Sequence, residues 1–162
     1  MILFHGSDKV VEKPETNFGR KKVDFGQGFY LTSLHEQAVK WAKIIAFKKG
    51  LGKAYVSEYT LDESLLDSLG LRYKKFLAYD MEWLDYVIDC RNGGSLQNQY
   101  DVVEGGVAND NVIDTVENYE NGIITAEQAL GQLQYKKVNH QICIRSQEVL
   151  DRMLQFVRWE EV

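Results

Sequence analysis

Phe25-Gly26-Gln27-Gly28-Phe29-Tyr30-Leu31-Thr32, followed directly by Ser33-Leu34-His35-Glu36, is the stretch on which the fold turns. Two glycines before an aromatic, β-prone run predict a loop entering a short strand. Ser33 with Glu36 three residues later has the pattern of a capping box, which predicts a helix next. Leu34, Ala38, Trp41/Ala42 and Ile45 then recur at helical spacing. Lys40, Lys43, Lys48 and Lys49 lie on the other faces and toward the C-terminal end, where cations suit the helix dipole, and Gly50 and Gly52 stop it. The glycine pair is not a dinucleotide fingerprint, because no third glycine opens a helix, so a Rossmann arrangement is excluded. Walker, G-x-S-x-G and H-E-x-x-H patterns are also absent from the sequence.

Upstream, Met1-Ile2-Leu3-Phe4 is too short for a helix and is halted by His5-Gly6-Ser7, which predicts a buried strand at the start of the chain. Residues 8–24 are polar, hold the only proline (Pro14) and end near the basic cluster Arg20-Lys21-Lys22, the signature of a loop. Downstream, Lys53 to Leu61 alternates as a strand, and helical patterns surround Leu65–Leu69 and Phe76–Cys90. Tyr100 to Val107 reads as a strand, Thr125-Ala126-Glu127-Gln128 as a second capping box with a helix to about Tyr135, and His140 to Ile144 as a strand. Ser146 is expected to cap a last helix from 147 to about 156, followed by a closing strand or packed tail. Strands and helices are interspersed without regular βαβ alternation, which predicts an α+β fold in one domain spanning 1–162.

The 162 residues match the size of one ordinary domain, large enough to bury roughly 68–70% of its unfolded surface. Nineteen basic against 24 acidic side chains leave a net charge of −5, which removes the bulk-electrostatic case for a general nucleic-acid binder. The average hides a division: residues 1–60 carry ten Lys/Arg and six Asp/Glu, residues 61–162 nine and eighteen. The basic part is the candidate for meeting an anionic ligand. Cys90 and Cys143 are far apart and outside metal or disulfide spacing, so no metal is expected and a reducing, cytoplasmic setting is. No charged leader or long apolar run points to a membrane.

Leu3-Phe4-His5-Gly6-Ser7, the Gly-x-Gly-Phe-Tyr strand, the Ser-initiated helix with Trp41, and Gln141-Ile142-Cys143-Ile144 together resemble the diphtheria-toxin-like and poly(ADP-ribose) polymerase-like ADP-ribosyltransferases. The chain as a whole also resembles a small bacterial family of that superfamily whose function is unassigned. The resemblance implies a split β-sheet core with flanking helices and NAD as co-substrate. It implies that His5 hydrogen-bonds the adenosine ribose and that the Gly6 backbone clamps the nicotinamide carboxamide, with Ser7 completing the motif. Tyr30 would stack on the nicotinamide ring with Trp41 on its other side, and Arg20-Lys21-Lys22 could meet the pyrophosphate. Gln141 stands where these relatives carry a glutamate, which predicts a single transfer of ADP-ribose rather than chain elongation. The implied activity is mono-ADP-ribosylation by a toxin-like effector, on a protein acceptor in preference to nucleic acid, with a neutralising partner protein as a further expectation. The alternative is an NAD or ADP-ribose binding module without turnover, which the missing acid favours.

Overall fold

The computed structural model describes residues 1–68, 70–109 and 112–162. Their architecture is α+β. One antiparallel sheet contains β1 (Ile2–Ser7), β3 (Tyr55–Leu61) and β7 (Leu154–Glu161), in the order β1-β3-β7. The other contains β2 (Phe29–Leu31), β4 (Tyr73–Lys75), β5 (Val102–Gly105) and β6 (Gln141–Ile144), in the order β2-β6-β5-β4, with only β4 and β5 parallel. Five helices flank them: α1 (His35–Lys48), α2 (Met81–Arg91), α3 (Ile113–Glu120), α4 (Ala126–Leu133) and α5 (Gln147–Met153).

The sheets join through one backbone bridge, in which Phe4 and Thr32 exchange hydrogen bonds of 2.8 and 2.9 Å. Between the sheets, Leu3, Tyr59 and Leu61 of the first pack with Phe29, Leu31, Val102, Ile142 and Ile144 of the second. The opposite face of the second sheet carries Val103 and Cys143, buried with Trp83, Leu84 and Val87 of α2 and with Val116, Ala129 and Leu133 of α3 and α4. Alternation along each strand produces the two apolar faces.

Helix α1 covers the first sheet with small side chains: Ala38, Ala42 and Ala46 are its buried positions and pack with Ala54 and Val56. Small residues let the helix approach β1 so closely that a Cβ on Gly6 would stand 2.0 Å from the carbonyl oxygen of Ala38. A glycine is therefore required there by contact. Trp41, placed by the spacing on the apolar stripe, is instead 42% exposed.

Four local expectations are corrected. The Ser33 capping box does not form: Leu34 occupies the cap position without a side-chain bond, because the Ser33 N–H donates to His140 Nδ1 at 2.9 Å and Thr32 Oγ1 accepts from the Leu34 N–H. In the Leu65–Leu69 helical pattern, Glu63–Leu65 is a 3-10 turn held by Asp62, while residue 69 lies outside the described residues. The last helix stops at Met153, because Leu154–Glu161 pairs with β3 and forms the closing strand. The Thr125/Gln128 capping box and the Ser146 cap both form. The Phe76–Cys90 pattern becomes helical only at Met81, where the Asp80 side chain accepts from the Trp83 N–H.

Glu104, 4% exposed on β5, shows how the second sheet holds a buried charge. Its carboxylate accepts from the Tyr73 hydroxyl, from His140 Nε2 at 3.0 Å and from Lys75 Nζ at 3.1 Å. Burial alone would raise its pKa, but these donors outweigh burial and bring it down to about 2. The folded pKa lies below the ordinary value of 4.5, so the stabilisation is present above that value and is lost as pH falls toward about 2. It is on the order of 3 kcal/mol. Urea unfolding should find Glu104→Gln less stable than the native chain near about pH 6, with the gap closing toward about pH 3. An equal gap at both would show that the carboxylate is not held in this way.

Candidate functional site

The strand β1 turns successive backbone groups to opposite edges. Met1 exchanges hydrogen bonds of 3.0 and 2.8 Å with Leu61, so the odd-numbered residues face β3. Phe4 exchanges with Thr32, so the even-numbered ones face β2. Gly6 therefore directs its N–H and C=O toward β2, one repeat beyond the bridge. A continued ladder would pair it with Tyr30, but the Tyr30 carbonyl is taken by the His5 ring, with Nδ1 2.7 Å away. The ladder between the sheets stops at this point, and one donor and one acceptor of Gly6 face the gap it leaves in the pairing.

A carbonyl can only accept, so His5 Nδ1 carries the proton toward Tyr30 and Nε2 is left as an acceptor. Burial lowers the His5 pKa, against the Tyr30 bond that raises it, so the ring is held neutral. It stacks on Phe29 with centroids 4.5 Å apart.

Tyr30 is oriented by the loop before it. Its hydroxyl donates to the Gly26 carbonyl at 2.7 Å and accepts from the Phe25 N–H at 3.0 Å. Gly26 sits at φ +78°, the left-handed region in which glycine is at home. Burial raises the Tyr30 pKa well above its ordinary value, with the Cys143 and Asp24 charges adding to it, so this side chain is a neutral aromatic plate and not a base.

Gln141, 7% exposed, opens β6. It shares a sheet face with Tyr30, since Tyr30 pairs with Cys143 two residues along. Its Nε2 donates to Asp24 Oδ2 and to the Gly106 carbonyl, each at 3.1 Å. Asp24 also accepts from the Ala108 N–H at 2.8 Å and from Arg91 Nη1 at 2.9 Å. Thus residues 24–26 hold both Tyr30 and Gln141.

The same loop reaches α1. The Arg20 guanidinium lies 5.7 Å from the centroid of the Trp41 ring, a cation–π contact, and Lys21 and Lys22 beside it are exposed. One turn before Trp41, Gln37 Nε2 donates to the His140 carbonyl at 2.8 Å, next to Gln141. The α1 stripe of Gln37 and Trp41 therefore borders both the loop and the start of β6.

His5 thus meets Tyr30 where the ladder between the sheets stops, beside Gly6; Gln141 shares the sheet face of Tyr30, and Trp41 lies one turn beyond Gln37, which bonds next to Gln141. Ser7 is less directly involved: its hydroxyl donates to Asp8 at 3.3 Å. Asp24 is not a site candidate by sequence, where it is one acid in a polar loop; its place directly before Phe25-Gly26 is the one local signal that marks it. Two surface hollows, one against Glu58, Arg158 and Glu160 and one between Asp85, Asp89 and Tyr119, contain none of these residues. Among the described residues no group of three or more His, Cys, Asp or Glu is arranged to hold a metal ion, and no helix is long and apolar enough to cross a membrane.

Cys143 lies in this neighbourhood, yet burial pushes its thiol up to about 12, and that of Cys90 likewise to about 12. Neither is poised as a nucleophile. In the folded protein both should resist a thiol reagent at neutral pH and react once denaturant is added; rapid labelling of either without denaturant would contradict this packing.

Residues 1–156 match a protein family described as "Protein of unknown function (DUF3990)", and the chain belongs to that family. No curated protein and no solved structure matches it.

Proposed function

We propose that the protein is a cytoplasmic mono-ADP-ribosyltransferase that uses NAD as co-substrate. The observation that carries this reading is the backbone of Gly6. Its donor and acceptor face the gap between the sheets side by side, and a primary carboxamide such as that of nicotinamide offers the complementary acceptor and donor. Tyr30, its ring direction set by Gly26 and Phe25, would lie against one face of the nicotinamide. Trp41 would close the other, and the exposed cations at 20–22 would meet the pyrophosphate. The neutral His5 has Nε2 as an acceptor for a hydroxyl of the adenosine ribose.

In the reaction the bond between the ribose C1′ and the nicotinamide ring nitrogen breaks, and its electron pair leaves with the nicotinamide. The ribose is left as an oxocarbenium-like cation, which requires electron-rich groups nearby. A nucleophile adds at C1′ through its lone pair and releases its proton to solvent. NAD and acceptor thus give ADP-ribosylated acceptor, nicotinamide and a proton. Gln141 Oε1 can accept from a ribose hydroxyl, but a neutral amide is a poor base for activating an ADP-ribose hydroxyl as the next nucleophile. This supports one transfer per acceptor. Protein is the favoured acceptor class, since the net charge of −5 disfavours nonspecific nucleic-acid binding, and the acidic residues 61–162 offer a surface for an acceptor or a neutralising partner.

The competing reading, an NAD or ADP-ribose binding module, draws on the amide at 141 in place of an acid. Nicotinamide release from NAD by the pure protein separates the two. Turnover is expected in the native chain, with His5→Ala and Tyr30→Ala strongly impaired. Trp41→Ala should weaken NAD binding roughly two- to tenfold, the value of one aromatic contact. No release, together with thermal stabilisation by NAD, would leave only the binding module. Labelled NAD incubated with lysate and fractionated into protein, nucleic acid and small molecules reports the acceptor; label in nucleic acid would overturn the protein preference.

A further inference from the structure

We infer that Asp24 supplies the negative charge of this site and acts through Gln141. The inference rests on the transferase reading and assigns a positioning residue to it. Three observations carry it. First, Gln141 Nε2 faces two acceptors, the Asp24 carboxylate and the Gly106 carbonyl, each at 3.1 Å. Its amide hydrogens are therefore committed, and its orientation is set. Among the described residues no protein donor meets Oε1, and this atom is not among the buried unpartnered ones, so it reaches solvent. Second, Asp24 is itself buried, at 7% exposure, and held by three donors: Arg91 on Oδ1, and the Ala108 N–H and Gln141 on Oδ2. Third, the two residues that follow Asp24 fix the Tyr30 hydroxyl, so one short segment orients the aromatic plate and the amide together.

The physics runs in one direction along this chain of groups. Arg91 binds the far oxygen of the carboxylate, and its side chain is 30% exposed, so solvent screens the cation more than it screens the buried anion. The negative end of the pair therefore points at Gln141. A hydrogen bond to an ionised acceptor is roughly twice as strong as a neutral one, and bonds in series polarise each other. Electron density drawn off the Gln141 N–H side appears at Oε1, the atom free to meet a ribose hydroxyl as positive charge develops at C1′. The chain therefore keeps its charge one residue behind the contacting group.

The same geometry explains why position 141 is glutamine. A glutamate would set a second carboxylate and no donor against Asp24 and the Gly106 carbonyl, at the distances where Nε2 now donates. Introducing the acid that the resembling enzymes carry should therefore damage this site.

The test is a charge relocation, read by nicotinamide release and by thermal melting of the full chain. Asp24→Asn should lower kcat roughly five- to thirtyfold with KM for NAD little changed. Gln141→Glu should lower both the melting temperature and kcat. The double variant Asp24→Asn/Gln141→Glu restores a donor opposite a carboxylate, now with the charge at 141, and should recover melting temperature and kcat relative to Gln141→Glu. A purely structural pair would recover the melting temperature without kcat. That outcome overturns the inference, as does Asp24→Asn with native kcat or Gln141→Glu matching the native chain in both readouts. A native protein that releases no nicotinamide overturns the transferase reading itself, a result distinct from these.

Discussion

The backbone exchange between Phe4 and Thr32 constrains everything around it. Strand β1 must serve β3 on one edge, Thr32 on the other and α1 across its face. The last demand brings a helix carbonyl to 2.0 Å from where a Cβ of Gly6 would be, so the strand passes beneath α1 without a side chain. The exchange is not repeated at the next pair because the His5 ring occupies the Tyr30 carbonyl. A ladder interrupted after one rung leaves a gap with polar backbone on its wall, and an unpaired N–H and C=O in a buried strand require a partner. Under the proposed transferase reading, the amide of the co-substrate would satisfy them.

The loop before β2 is the second organiser. It stabilises groups that could not keep their positions alone: Tyr30 through Gly26 and Phe25, Gln141 through Asp24, and Trp41 through Arg20. Burying the Asp24 carboxylate is tolerable because all its neighbours are donors, one of them Arg91. Glu104 meets the same requirement through Tyr73, His140 and Lys75. Since His140 accepts the Ser33 N–H on one nitrogen and serves Glu104 with the other, it connects β2's end to β5 and sits directly before Gln141. The two buried acids thus lie along the route by which β6 enters the sheet, and each sets the side chains beside it.

Charge distribution is consistent with this arrangement. The surplus of basic residues within 1–60 belongs to the segment containing β1, the loop, β2 and α1, the elements that surround the gap. The exposed cations at positions 20–22 belong to that surplus, and Arg20 rests on Trp41. A net charge of −5 and a local basic strap are compatible, since screening makes the field at a binding site a matter of groups within about 10 Å.

Periodicity and turn chemistry, both local, were legible in the sequence. The α+β class, the strand at the start of the chain, the glycine loop entering β2, the Thr125 capping box and the Ser146 cap all rest on neighbours within a few residues, and all appear in the fold. Helix α3 and strand β4 were not legible: α3 buries only Thr115 and Val116, and β4 is three residues long with no fully buried side chain. The Ser33 cap failed because a residue more than 100 positions away, His140, competed for its backbone. The resemblance carried by a few short motifs made His5, Tyr30, Trp41 and Gln141 candidates. Only tertiary structure could decide that Gly6 opens onto a gap, that Trp41 is exposed, and that Gln141 leans on Asp24 across 117 positions of chain. A hydrogen bond between distant segments leaves no period or spacing in a sequence, and in this protein such bonds define the site.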